Sequence, residues 1–313
     1  MIRLPLKSLP CCYFPTKTVL IDDDAVFMDT LSCGLVNNQR FNHPEHALEI
    51  LLKYQPQVSE NLLLEMNVEA DHTDRINKQS LIINFSKMKD IFSNIQREED
   101  ISVVIVDYKM PGIDGISVLQ KLKDKPFKKI LLTGNSDEVL AVEAFNDGLI
   151  DYFLPKTEKK LSDKLKGIIE DLKVDYFFNL TKRLYDYSPD LITLSKNQGF
   201  KDFFMQNLCD LKISEFYLND LIGTYVLLNN DKKKYYLVVY SHKQLLDLAD
   251  VAEKDGASRE LVNEMRKHIK IPFFGQNKNF WEVPGNKWHS YLYPATVIDS
   301  NTDNFYGSIV EAS

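Results

Sequence analysis

Between Thr18 and Lys156, short aliphatic runs alternate with stretches whose apolar residues recur at helical spacing. The runs are Thr18–Ile21, a weaker Arg40–Phe41, Ser102–Val106, Lys129–Leu132 and Asp151–Leu154. Continuous apolar runs rich in β-branched residues suit strands covered on both faces. Their alternation with amphipathic segments predicts a parallel sheet with helices packed on it, so these strands form one doubly wound α/β domain.

One crossover is too long for a simple loop. More than forty residues separate a helix ending near Tyr54 from the strand at Ser102. Within them Leu81, Phe85, Met88, Phe92 and Ile95 step by 4, 3, 4 and 3, which predicts one amphipathic helix. The preceding Glu65–Asp74 is polar and expected to be mobile. The helix is expected to pack on its parent domain, the alternative being a docking element for a partner. Beyond Lys156 the apolar positions Leu161, Leu165, Ile168 and Leu172, then Tyr176, Leu180 and Leu184, predict one long helix that Pro189 stops. Such a helix is either a rigid connector or a dimer seam.

After Asp190 the pattern changes to a helix around Leu208 and strands at Ile213–Leu218, Thr224–Leu228 and Tyr235–Ser241. Asn229, Asn230 and Asp231 are turn residues, so the last two strands form an antiparallel hairpin. Helices are expected over Gln244–Lys254 and Ser258–Ile269, with Gly256 in the break and Ser258 as N-cap. Trp288–Ile298 and Phe305–Val310 read as strands, which makes this half an α+β domain.

Composition narrows the class without naming it. The 313 residues carry 38 Lys and Arg against 45 Asp and Glu, a net charge of −7, with 44% hydrophobic and 11% aromatic residues. That balance excludes a basic nucleic-acid coat protein and a disordered chain. No apolar run approaches the roughly 20 residues of a membrane span, so no membrane association is expected. Met1–Pro15 has no cleavage pattern and reads as an extended arm. Cys11, Cys12, Cys33 and Cys209 show neither disulfide nor zinc spacing, which points to reduced thiols in a cytoplasmic protein.

Chemistry gathers at the carboxyl ends of the first domain's strands, where open α/β sheets place ligands. Asp22, Asp23 and Asp24 end the first strand, Asp107 the third, Thr133 the fourth, and Lys156 follows the fifth. Strands one and three are neighbours in such a sheet, so their carboxylates would repel each other and demand a hard divalent cation such as Mg²⁺. A carboxylate, a cation, a hydroxyl and an ammonium together suit phosphoryl transfer, with Asp107 as nucleophile.

These residues carry a resemblance. Val19-Leu20-Ile21-Asp22-Asp23-Asp24, Val104-Ile105-Val106-Asp107-Tyr108-Lys109-Met110-Pro111-Gly112-Ile113-Asp114-Gly115, Ile130-Leu131-Leu132-Thr133-Gly134 and Phe153-Leu154-Pro155-Lys156 follow one another as in the receiver domain of two-component response regulators. The resemblance covers residues 17–175 and implies a flavodoxin-like fold. It implies that Asp107 accepts phosphoryl from a sensor histidine kinase, and that Asp22, Asp23, Asp107 and the backbone carbonyl of Lys109 hold Mg²⁺. Thr133 would be the switch hydroxyl, Lys156 the phosphate-contacting lysine, and Phe153 the aromatic switch, with Tyr152 its rival. Pro155 precedes the lysine, where the family more often has proline after it. The insertion at about 55–100 and an output without a helix-turn-helix resemble a smaller group that includes the Legionella-type quorum-sensing regulators.

The chain thus divides into an extension (1–16), a receiver (17–175), a helical linker (176–189) and an α+β output domain (190–313). The expected function is a phosphorylation-controlled switch that signals by homodimerisation or partner binding. A nucleotide- or nucleic-acid-binding output is the alternative, because Lys232, Lys233 and Lys234 run into Tyr235 and Tyr236, and Arg259, Arg266, Lys267 and Lys270 fall along one helix. Output catalysis is not expected, since His242, His268 and His289 are scattered and no phosphate-binding glycine loop is present in 190–313.

Overall fold

The computed structural model describes residues 9–58, 64–69, 78–134, 138–275, 280–298 and 304–312. In chain order it begins with β1 (Cys12–Tyr13), β2 (Lys17–Ile21), α1 (Ala25–Ser32), β3 (Asn38–Phe41) and α2 (Pro44–Lys53). The insertion contributes β4 (Leu64–Glu69), β5 (Lys78–Ile83), α3 (Ser86–Ser93) and a 3₁₀ turn over Ile95–Glu99. Then come β6 (Ile101–Asp107), α4 (Gly115–Lys121), β7 (Lys128–Thr133), α5 (Glu138–Asn146), β8 (Tyr152–Pro155) and α6 (Leu161–Asp186).

The strands β3-β2-β6-β7-β8 form a five-stranded parallel sheet, so the flavodoxin-like order expected from sequence is present. Side chains alternate between its faces as the pleat requires. Val19, Ile21, Val104, Val106 and Leu131 pack against α2, α4 and α5. Leu20, Val103, Ile105, Ile130, Leu132 and Leu154 pack against α1 and the first half of α6.

The second half contains α7 (Pro189–Lys196), α8 (Gln198–Asp210), β9 (Ile213–Leu218), β10 (Tyr225–Asn229), β11 (Lys234–Ser241), α9 (His242–Lys254) and α10 (Arg259–Arg266). Short strands β12 (Lys270–Pro272), β13 (Leu292–Pro294) and β14 (Thr296–Ile298) precede β15 (Phe305–Glu311). A six-stranded sheet runs β1-β9-β10-β11-β15-β14, every pair antiparallel.

Several expectations change. The arm at the chain start is extended at Cys12 and Tyr13, and it is docked: these residues pair with Tyr217 and Phe216 on β9, and Leu9, Cys11, Cys12 and Phe14 are fully buried in the second domain's core. Both thiols are free, and burial pushes Cys11 up to about 12. In the insertion, the helix expected from Leu81 to Ile95 spans only Ser86–Ser93; Leu81 lies on β5, paired with Met66 in a hairpin, and Ile95 faces solvent. The segment expected to be mobile is a strand as far as Glu69, and 70–74 lies outside the described residues. Helix α3 packs on the second domain rather than on its parent: Met88 and Ile91 enter the second domain's core, and Phe92 stands edge-on to Tyr217 at 5.5 Å.

The long helix is present and ends where expected, with Pro189 opening α7. Its Leu161, Leu165 and Leu172 are buried with Ile169 against the parallel sheet, while Ile168 is only partly buried. This stripe is therefore not available as a dimer seam. Nor is 176–189 a bare linker, since Tyr176, Phe177, Leu180, Leu184 and Tyr185 belong to the second core. One helix is shared by both cores. The helix expected to reach Ile269 stops at Arg266, where His268 turns left-handed (φ 57°) and Ile269 N–H returns to the Glu264 carbonyl at 2.9 Å. In the tail, the 3₁₀ segment Gly285–Tyr291 takes the start of the strand expected over Trp288–Ile298, and the rest is split into the short strands β13 and β14.

Candidate functional site

Strands β2 and β6 run in register, Ile21 opposite Val106, so the residues that follow them meet at the sheet's carboxyl edge. Asp22 and Asp107 are buried there and Asp23 is exposed. Their carboxylate oxygens lie within 4.8 Å of one another, and among the described residues this is the one group of three His, Cys, Asp or Glu side chains so placed. Asp24, third in the run, does different work. It caps α1, its carboxylate accepting from Phe27 N–H at 3.0 Å, while its own N–H bonds Asp22 Oδ1 at 2.9 Å.

The loop after Asp107 explains the second motif. Asp114 caps α4 by accepting from Ser117 N–H at 2.8 Å. Gly115 N–H donates to the Tyr108 carbonyl at 2.8 Å, and a Cβ on Gly115 would stand 2.2 Å from the Asp107 carbonyl oxygen. Only glycine lets the helix start so near the strand end.

Lys156 completes the cluster. Its N–H bonds the Thr133 carbonyl at 2.8 Å, and its ammonium lies 2.8 Å from Asp22 Oδ2 and 2.9 Å from Asp107 Oδ2. Burial works against that ammonium, yet the carboxylates of Asp22 and Asp107 outweigh it and hold Lys156 above the ordinary lysine range. Burial raises the Asp107 carboxyl, Lys156 opposes this, and the charges of Asp22 and Asp23 reinforce it, leaving Asp107 above the usual range.

Thr133 is fully buried at the end of β7, its hydroxyl 3.5 Å from the Leu154 carbonyl. Phe153, one strand further, is partly buried and stands edge-on to Phe145 of α5 at 6.3 Å, whereas Tyr152 is exposed. Lys109 lies in the loop after Asp107 with its side chain exposed. The structure thus brings Asp22, Asp23, Asp107 and Lys156 together from three strand ends, with Thr133 ending the fourth strand beside Lys156 and its hydroxyl turned to the Leu154 carbonyl.

One neighbour was missed. The Lys156 ammonium lies 4.6 Å from the centroid of the Phe27 ring. The signal for it was the cap: once Asp24 starts α1, Phe27 falls in the first turn, beside the strand ends.

The output-domain candidates do not assemble a comparable site. Lys232 pairs with Glu215, Lys233 with Glu311, Arg266 with Asp250 and Glu253, and Lys270 with Glu264, while Tyr235 and Tyr236 are buried in the sheet. His242 and His268 do meet, 2.9 Å apart, with His268 stacked on Tyr306. His289 faces the Asn286 carbonyl. No described helix is long and apolar enough to cross a membrane.

Residues 73–166 match the model of the response regulator receiver domain. The match begins inside the insertion, which separates β2 and its acidic run from the rest of the fold. The transcriptional regulatory protein FixJ of Bradyrhizobium diazoefficiens is 39% identical over 69 residues, 21% of this chain and 32% of that protein. The C4-dicarboxylate transport transcriptional regulatory protein DctD of Pseudomonas aeruginosa is 38% identical over 71 residues, 22% of this chain and 15% of that protein. The chain therefore spans about a third or less of the curated relatives it matches. Among solved structures, the response regulator LqsR of Legionella pneumophila superposes with a TM-score of 0.78 at 26% identity, covering 97% of this chain and 89% of that one.

Proposed function

Since this chain carries the receiver domain of a two-component response regulator, we propose that it is a phosphorylation-controlled switch in the cytoplasm, with Asp107 as acceptor and a sensor histidine kinase as donor. The observation that carries the reading is the placement of the Lys156 ammonium between Asp22 and Asp107 beside Asp23.

The residues present fit a divalent cation. Three carboxylates against one ammonium leave an excess of negative charge, and buried Asp22 Oδ2 has no aligned hydrogen-bond donor. Asp22, Asp23 and Asp107, with the Lys109 carbonyl, would hold Mg²⁺, which when bound would neutralise the oxygens of the incoming phosphoryl group. A carboxylate oxygen of Asp107 forms the new P–O bond as the donor's P–N bond breaks. Lys156 follows the transferred charge, and Thr133 donates to a phosphoryl oxygen.

The new group adds about −1.5 to −2 charges, by analogy with phosphoserine. Drawing Thr133 toward it opens space beneath Phe153, whose ring contacts Phe145 on α5. Helix α5 exposes Val139, Leu140, Val142 and Phe145, and this apolar face is where we place a phosphorylation-dependent contact with a second copy of the chain. Within one chain, α6 and the insertion join the receiver to the output domain. The output is read as a contact-making module with no chemistry of its own, with Lys232, Lys233, Arg266 and Lys270 engaged in ion pairs.

The test is labelling by acetyl phosphate, which needs no kinase. Wild type is expected to take up phosphoryl only with Mg²⁺, and Asp107→Asn not at all. Equal labelling of the variant overturns the reading.

A further inference from the structure

We propose that Phe27 is a positioning residue for Lys156, its ring face holding the ammonium at the centre of the carboxylate cluster. This rests on the reading of Asp107 as phosphoacceptor. Lysine is a flexible four-carbon stem with a strongly hydrated head, and nothing in its covalent structure aims it. Here the head has three neighbours: Asp22 Oδ2 at 2.8 Å, Asp107 Oδ2 at 2.9 Å and the Phe27 ring centroid at 4.6 Å. The two carboxylates hold it by charge. The ring supplies its negative face and takes the place of water.

The three contacts differ in what phosphorylation does to them. Once Asp107 carries phosphoryl, its carboxylate charge is spent in the acyl phosphate and the ammonium must move to the phosphoryl oxygens. Asp22 is shared with the cation. The ring contact depends on neither event, so Phe27 is the neighbour that stays with the ammonium as it shifts from the Asp107 carboxylate to the phosphoryl oxygens. Its own position is fixed twice: the Asp24 cap fastens its N–H at 3.0 Å, and its half-buried ring packs against the core that includes Leu20 and Met28. Attraction between a cation and an aromatic face strengthens when the pair is shielded, and the Lys156 side chain is 25% exposed.

The experiment follows the lysine ammonium and ε-methylene signals by NMR in the full chain, with Lys156→Arg identifying the resonance by its loss. Wild type should show the signal shifted upfield by the ring. Phe27→Leu, which keeps an apolar side chain in the core, should return it to the unperturbed position, while Phe27→Tyr and Phe27→Trp keep the shift. Labelling by acetyl phosphate with Mg²⁺ should be about fivefold slower in Phe27→Leu and restored in the aromatic variants. An unshifted wild-type signal, or a folded Phe27→Leu that labels at the wild-type rate, overturns the proposal. Should Phe27→Leu not fold, the wild-type shift and the Tyr and Trp variants decide. If the phosphoacceptor reading fails instead, no protein labels at Asp107, and the ring shift still reports on the contact.

Discussion

Arg97 and Glu215, 118 residues apart, meet in a buried bidentate ion pair: Arg97 Nη2 donates to Glu215 Oε2 at 2.8 Å and Oε1 at 3.0 Å, and Nε donates to Oε2 at 3.0 Å. Arg97 belongs to the insertion and Glu215 to β9, so the pair fastens one domain to the other. Tyr217 donates to the same carboxylate at 2.7 Å. Breaking one partner of such a pair strands the other charge in the interior. Arg97→Met is expected to cost about 3 kcal/mol in denaturant unfolding. A cost below about 1 kcal/mol would mean the contact is incidental.

The burial of Leu165 separates two ways of making a dimer. Leu165 is fully buried against the receiver sheet, so Leu165→Asp places a charge in the core and should unfold the receiver, at a cost above about 4 kcal/mol by circular dichroism melts. Phe145, 48% exposed on α5, is a different case. Phe145→Asp should keep a cooperative melt yet abolish the concentration-dependent dimer shift that beryllofluoride and Mg²⁺ produce in sedimentation velocity.

Gly115 tests how tightly the loop after Asp107 is built. A methyl there meets the Asp107 carbonyl oxygen at 2.2 Å, so the helix start or the strand end must shift. Gly115→Ala is expected to lose about 1 to 3 kcal/mol and most phosphoryl uptake. Unchanged stability and labelling would show the loop to be looser than this spacing implies.

The raised Asp107 carboxyl gives a pH signature. Because the folded state binds the proton more tightly than the unfolded chain, ionisation of Asp107 destabilises the fold. That cost is absent below the ordinary value of 3.8, grows with pH, and is complete above the folded-state pKa. The raised pKa of Lys156 stabilises the fold throughout this window, since its loss begins only above the ordinary 10.5. In chelator, Asp107→Asn should therefore melt higher than wild type at neutral pH, and the two should converge as pH falls toward 3.8. Saturating Mg²⁺ should raise the wild-type melt and leave the variant unmoved, about 2.7 kcal/mol at a hundredfold excess over Kd.

How much of this was legible in the sequence depends on the range of the interactions. The parallel sheet and its acidic edge were, because continuous apolar runs and strand-end residues are local signals, and Asp22, Asp107, Thr133 and Lys156 each close a readable strand. The destination of the insertion was not. Met88 and Phe92 announce an apolar helix face, but nothing in their spacing says that the face covers β9. The same holds for Leu161 and Leu165: the stripe is visible, and whether a sheet or a second copy covers it is a matter of tertiary packing. Leu81 continued a helical period by coincidence while pairing as a strand, and the arm at Cys12 and Tyr13 was too short to announce a partner some two hundred residues away.

Asp107 alone is expected to receive phosphoryl. The most direct measurement is to label the full chain with acetyl phosphate and Mg²⁺, trap the acyl phosphate by borohydride reduction and map the modified peptide by mass spectrometry. A single reduced residue is expected, at position 107, that disappears in chelator and in Asp107→Asn. Modification at Asp22, Asp23 or any other carboxylate with position 107 untouched would contradict it.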